Sequence, residues 1–326
     1  MRKSLVGFAI GVACLLGWTA SSIQAKGYPD RPVRIVVANP PGGVTDVLAR
    51  IFAQKLSESL AARFYVENLP GAAGDIGTGK AAAAPTDGST ILFTSPDFLT
   101  VPLLKAKTSY DPMGSFVPVT LAATAPGLIS VNASLPARSM SELFQLLKVN
   151  PGKYSYATPG FGSLPHLEGE RQLRMLRGLN VVHVPFQGFG PAITSTIAGH
   201  TPILWGGSIA IIAPHVQEGK LRTLMISSSR RSPKLPDAPT KEEAGLPDYS
   251  SGFWGGVMVP AATPKEIVTF LHQQIVRVML QPDVKQRLDA LGFDPVGSTP
   301  DEFAAWLKHE YAKYGEVVRQ ANFIFE

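Results

Sequence analysis

Val33-Arg34-Ile35-Val36-Val37-Ala38-Asn39-Pro40-Pro41-Gly42-Gly43-Val44-Thr45-Asp46 is the stretch on which the fold turns. Val33–Val37 is a short, β-branched, apolar run and reads as a buried strand. Leu48, Ile51, Phe52, Leu56 and Leu60 follow at helical spacing. Between them, Pro40 and Pro41 stiffen the turn, while Gly42 and Gly43 let backbone N–H groups come close to a ligand. A helix that starts there presents unpaired N–H donors and the positive end of its dipole, which suits a carboxylate. The same string also reads as a plain strand-to-helix turn capped by Thr45 or Asp46. The local sequence leaves the two readings open.

Outward from this unit the alternation continues. Strand-like runs occur at Phe64–Glu67, Thr90–Phe93, Leu128–Val131, Tyr154–Ala157, Val181–Val184, Ile203–Trp205 and Leu221–Ser227, with helical patterns between them. This predicts an α/β fold with mostly parallel sheets. Ser139 to Glu142, Thr263 to Glu266 and Thr299 to Glu302 each fit a capping box, the last two with Pro at the first helical position. Phe303, Trp306, Leu307, Tyr311, Tyr314 and Val318 form one apolar stripe and read as packing. Arg230–Tyr249, rich in Pro and charge, reads as a long surface connection, and Thr120–Gly127 as a second one. Two crossings build one lobe from both chain ends, 26–124 and 249–326, and the other from 125–248.

Three further loops resemble the first. Thr158-Pro159-Gly160-Phe161-Gly162-Ser163 leads into a helix that carries His166, which from the local string reads first as a structural histidine. The others are Thr94-Ser95-Pro96-Asp97 and His183-Val184-Pro185-Phe186-Gln187-Gly188. Two motifs fall short. Gly74–Ala81 nearly spells a phosphate-binding loop, but Ala81 stands where a hydroxyl should hold magnesium. Gly206-Gly207-Ser208-Ile209-Ala210 approaches a nucleophile elbow, but Ala210 replaces the second Gly. No histidines lie at i, i+4 and no His/carboxylate cluster stands out, so neither metal nor cofactor is expected.

The N-terminus has the zones of a secretory signal. Arg2 and Lys3 are basic, Leu5–Leu16 is apolar and too short to span a bilayer, and Ser21, Ser22 and Ala25 are small. Cleavage is expected after Ala25. That step discards Cys14, the one cysteine of the 326 residues, and leaves no disulfide. With 30 Lys and Arg against 25 Asp and Glu, the net charge of +5 is no footprint for nucleic acid.

At these residues the chain resembles the periplasmic solute receptors of tripartite tricarboxylate transporters, the Bug receptors. The similarity runs through Tyr28–Arg34, the Pro40–Asp46 loop with Ala49-Arg50, Glu67–Gly74, Pro85–Gly88, Tyr110–Pro112 and Pro151–Lys153. It continues through Tyr156-Ala157, Gly160–Leu167, His183–Gly188, Leu235–Thr240 and Glu243–Gly245. It implies a two-lobed periplasmic binding protein fold, type II-like, with a hinge and a ligand between the lobes. It also implies a non-catalytic, monomeric receptor that captures a small organic anion, commonly a carboxylate, and passes it to membrane permease subunits. Carried over, the ligand-binding residues are Pro41, Gly42, Gly43, Thr45 and Asp46 in one lobe and Gly162, Ser163 and His166 in the other. Thr94, Ser95 and Phe186 line the rest. One departure is Pro202, where relatives usually carry an acid; another is Ser115. Phe161, Phe186, Phe189 and Trp205 lie near strand ends, where they either fill the core or wall a site for a bulky acid. The alternatives are a secreted serine hydrolase using Ser208, or an exported sensory receptor.

Overall fold

The computed structural model describes residues 27–249 and 252–321. The expected export signal and Cys14 lie outside them. In chain order the first elements are β1 (Val33–Val37), α1 (Val44–Leu60), β2 (Phe64–Asn68), α2 (Asp75–Ala82), β3 (Thr90–Thr94), α3 (Asp97–Leu104) and β4 (Phe116–Pro126). Then come β5 (Leu128–Asn132), α4 (Met140–Val149), β6 (Ser155–Thr158), α5 (Leu164–Glu170), β7 (Val182–Pro185), α6 (Phe189–Ile197), β8 (Ile203–Trp205), α7 (Ile209–Gln217) and β9 (Leu221–Ile226). The last are β10 (Gly252–Pro260), α8 (Lys265–Met279), α9 (Pro282–Ala290), β11 (Asp294–Pro295) and α10 (Pro300–Ala321). No described helix is long and apolar enough to cross a membrane.

Two sheets form, in the orders β11-β4-β10-β3-β1-β2 and β7-β6-β8-β5-β9. The first is made from both ends of the chain and the second from its middle. Both are covered on two faces, which explains the unbroken apolar strands. Ile35 and Val37 enter one core cluster and Val36 another. In the second sheet Ile203 and Trp205 pack on one side and Leu204 on the other.

The sheets are mixed rather than mostly parallel. β2-β1-β3 and β7-β6-β8 are parallel. β10 runs against β3 and β4, and β5 runs against β8 and β9. The reason is the double crossing. β1, β3, β6 and β8 all end where the two sheets face each other. A strand that enters its sheet from that side, as β5 and β10 do, must run the other way.

Three local expectations change. The Thr120–Gly127 connection is mostly strand, because β4 extends to Pro126 and passes to β5 through Gly127 alone. Thr263 does not cap α8: its hydroxyl donates to the Pro260 carbonyl at 2.7 Å, and Pro264 takes the cap position. The connection after β9 lacks helix and long strand as expected, yet it buries Leu235, Ala238, Leu246 and Tyr249 against the second sheet. By contrast, Thr299 and Glu302 form the reciprocal capping box that starts α10.

Candidate functional site

The carboxyl ends of β1, β3, β6 and β8 open onto one cavity of about 250 Å³. In open α/β folds that end of the strands is where ligands sit. Each strand turns directly into a helix, and each helix starts in the cavity wall. Val44 begins α1, Pro96 and Asp97 begin α3, Ser163 and Leu164 begin α5, and Ser208 precedes α7. No side chain caps any of these four helix N-termini. Four positive dipole ends therefore meet at one space, although in α3 the Phe98, Leu99 and Thr100 N–H groups already donate to the Ser95 and Pro96 carbonyls.

Two of the turns share a construction. The Gly42 N–H donates to Asp46 Oδ2 at 2.9 Å, and the Gly162 N–H donates to His166 Nδ1 at 2.9 Å. Both glycines are left-handed, at φ +81° and +73°. Both following residues, Gly43 and Ser163, are extended, at φ −71° and −64°. In each turn the third helical side chain reaches back to the N–H ahead of the cap. An acid does this in one lobe and an imidazole in the other.

Asp46 also accepts from Arg50 Nε and Asn68 Nδ2, each at 2.9 Å. Burial works to raise its carboxyl, but the bonds from Arg50, Gly42 and Asn68 outweigh it and hold the group below the usual carboxylate range. Burial, with the His183 and Arg174 charges adding to it, pushes His166 down to about 3. Burial takes His183 to about 4. The two rings stack at 3.8 Å and are neutral at pH 7. Since His166 Nδ1 accepts, its proton sits on Nε2.

The sequence-derived residues thus divide. Ser95 and Ser163 stand in the wall. Gly162 lines an adjoining opening with Ser163, Phe161 and Lys105. Pro41, Gly42 and Gly43 are exposed ahead of α1, whereas Thr45 and Asp46 of α1, Thr94 of β3 and His166 of α5 are buried. Phe186 packs against the core of the second lobe, and Trp205 is fully buried there. Of the aromatics singled out in the sequence, Phe189 alone lies in the wall.

Several wall residues escaped the sequence reading. Gly206, Gly207 and Ser208 are the turn that failed as a nucleophile elbow. Their strand–Gly–Gly–Ser–helix order was the available signal. Gly127, Phe253 and Phe293 reach the wall only through tertiary folding. No histidine stands in the wall with Ser208, and His272 Nε2 lies 3.1 Å from the Ser298 carbonyl oxygen. Pro202 precedes β8, at the end of that strand away from Gly206 and the cavity. In the stretch that resembles a phosphate loop, a Cβ on Gly77 would stand 2.2 Å from the Leu69 carbonyl oxygen, so that glycine serves helix packing.

Among the described residues Asp97 is the one ionisable side chain in the wall. It accepts from Asn39 Nδ2 at 3.3 Å. Burial raises its pKa, and the Asn39 bond offsets part of that.

A family model for the tripartite tricarboxylate transporter family receptor matches residues 48–323. The chain is 33% identical over 316 residues to Protein BugT of Bordetella pertussis, covering 96% of each. Among solved structures it is similar to Rpa4515 of R. palustris with adipate, with TM-score 0.75, 31% identity, and coverage of 90% of this chain and 98% of that one. It is also similar to MatC of Rhodopseudomonas palustris with bound malate, with TM-score 0.70, 31% identity, and coverage of 89% and 100%.

Proposed function

We propose, from the premise that this chain belongs to the tripartite tricarboxylate transporter receptor family, that its cavity holds a small organic acid by the carboxylate. The protein is a solute-binding receptor of the two-lobed periplasmic binding protein fold. The observation that carries the carboxylate reading is the meeting of four uncapped helix starts in one cavity whose described wall has no Lys, Arg or His. A hydrogen bond to a charged group contributes roughly 1.5–3 kcal/mol, so two or three N–H donors suffice for a small acid. Gly43, Val44 and Ser163 are the contacts expected to matter most, with Pro41, Thr45 and Ser95 beside them. Asp46, His166, Gly42 and Gly162 hold the turns that aim those donors, and Thr94 and Phe186 support them.

In this reading the chain is exported, loses residues 1–25, and works in the periplasm as a non-catalytic monomer. Lobes 26–124 with 249–326, and 125–248, close on the ligand about Gly127 and the second crossing. The closed form is then recognised by permease subunits. Closure requires contacts that exist only in the closed state.

Gly43 offers the test. Its φ suits any residue, and an added Cβ would meet only the Pro40 carbonyl oxygen at 3.5 Å. Neither backbone nor packing demands glycine there, which leaves ligand access. Gly43→Val should fold, yet bind carboxylates at least about ten-fold more weakly by calorimetry, a change of roughly 1.4 kcal/mol. Wild-type affinity in that variant sinks the site. Fluorophosphonate labelling that Ser208→Ala abolishes sinks the receptor reading in favour of hydrolysis.

A further inference from the structure

We infer that the ligand is a monocarboxylic acid with a ring-bearing, apolar body, and that Asp97 turns dicarboxylic acids away. This rests on the carboxylate-receptor reading above and names the ligand class for the same cavity.

The wall is divided chemically. The donors for one carboxylate come from the helix starts. Much of the remaining surface is apolar, with Ile211, Leu164, Leu291 and the rings of Phe189, Phe253 and Phe293. Phe253 and Phe293 meet edge to face, at 5.5 Å and 87°. A third ring fits such a corner, because aromatic faces and edges carry opposite partial charge. Size agrees: an apolar cavity of roughly 150 Å³ takes benzene, and this one is about 250 Å³. The difference leaves room for a carboxylate and a substituent.

A second carboxylate finds no cation there and has to draw on the same helix starts that hold the first. Desolvating an ion without a counter-charge is strongly unfavourable. The described wall provides no cation, and its one ionisable side chain is an acid whose pKa burial raises, so a second carboxylate beside it meets a like charge or has to bring a proton. Asp97 forms no ion pair with any described residue and keeps only the Asn39 amide. An acid in that position opposes a dianion more than a monoanion, by its charge when ionised and by the proton it must take up when not, which makes it a selectivity device.

Matched pairs test this by calorimetry on the purified protein: 4-methylbenzoate against terephthalate, and hexanoate against adipate. The expected result is that 4-methylbenzoate binds about ten-fold or more tightly than terephthalate and more tightly than hexanoate. Asp97→Asn should shrink the monoacid-to-diacid ratio, and Phe253→Ala should shrink the ring-to-chain ratio. Terephthalate or adipate binding as well as its partner overturns the inference and leaves the receptor reading intact. Hexanoate matching 4-methylbenzoate overturns the ring requirement, and an unchanged diacid ratio in folded Asp97→Asn overturns the role of Asp97. If none of the four acids binds, the inference and the carboxylate reading fall together.

Discussion

His166 and His183 lie ring on ring with both pKa values far below the ordinary 6.5, at about 3 and about 4. As pH falls below 6.5, the unfolded chain takes up protons at these rings and the folded chain does not. Their contribution to stability is therefore complete above about pH 6.5 and declines as pH falls toward 4, by at most roughly 1.4 kcal/mol per pH unit for His166. Urea midpoints should drop between pH 7.5 and pH 5, and His166→Asn should flatten the drop. A flat wild-type midpoint over that range contradicts the buried neutral pair. At this scale the sequence left His166 open between ligand and structural residue. The bond it accepts from the Gly162 N–H depends on the left-handed backbone at Gly162, which no local pattern reveals.

At the scale of elements, strand-to-helix turns were the most legible feature. β1 and β8 span the residues expected of them, and β-branched runs between Gly- or Pro-rich turns explain why. The two long strands missed, β4 and β10, contain Pro118 or Gly255 and Gly256 and carry irregular register, so their pattern is broken. The turn before α1 depends on Asp46. Asp46→Ala leaves the Gly42 N–H without its acceptor, takes one of two acceptors from Arg50 and from Asn68, and should destabilise the fold by about 1–3 kcal/mol in a denaturant titration. Because the folded pKa is depressed, this stabilisation is present above the ordinary value near 3.9 and is lost as pH falls through the lower folded value. The Asp46→Asn variant should accordingly lose stability less steeply than wild type below about pH 4. Equal acid slopes in the two proteins would show that the carboxylate is not what is being titrated.

Over the whole molecule, α10 does more than close the first lobe. Tyr314, Val317 and Val318 pack with Leu104 of α3 and with Leu164 and Leu167 of α5, which follows β6 of the second sheet. This apolar cluster ties the lobes together beside the cavity and couples their stability. Tyr314 is fully buried, and Tyr314→Ala should cost roughly 3–5 kcal/mol. Wild type should unfold in one transition, whether followed at Trp254 in the first lobe or at Trp205 in the second, each as the single tryptophan. Tyr314→Ala should separate the two midpoints. Coincident midpoints in that variant would mean that the crossing strands, not α10, carry the coupling.

By itself the sequence determined the α/β class, the strand-to-helix turns and the family, and it left the loop before α1 open between an anion site and a plain turn. The class and the turns follow from local periodicity and from Gly and Pro at fixed places, and the family from the resemblance of many loop motifs in one order. Only the tertiary structure decided which turns share one cavity, that Ser208 belongs to its wall while Phe186 does not, and that Asp97 is the ionisable side chain in that described wall. The physical reason is distance along the chain. Phe253 and Phe293 stand beside Val44 and Ser95 because β10 returns between β3 and β4, a pairing set by packing two sheets rather than by any string of neighbours.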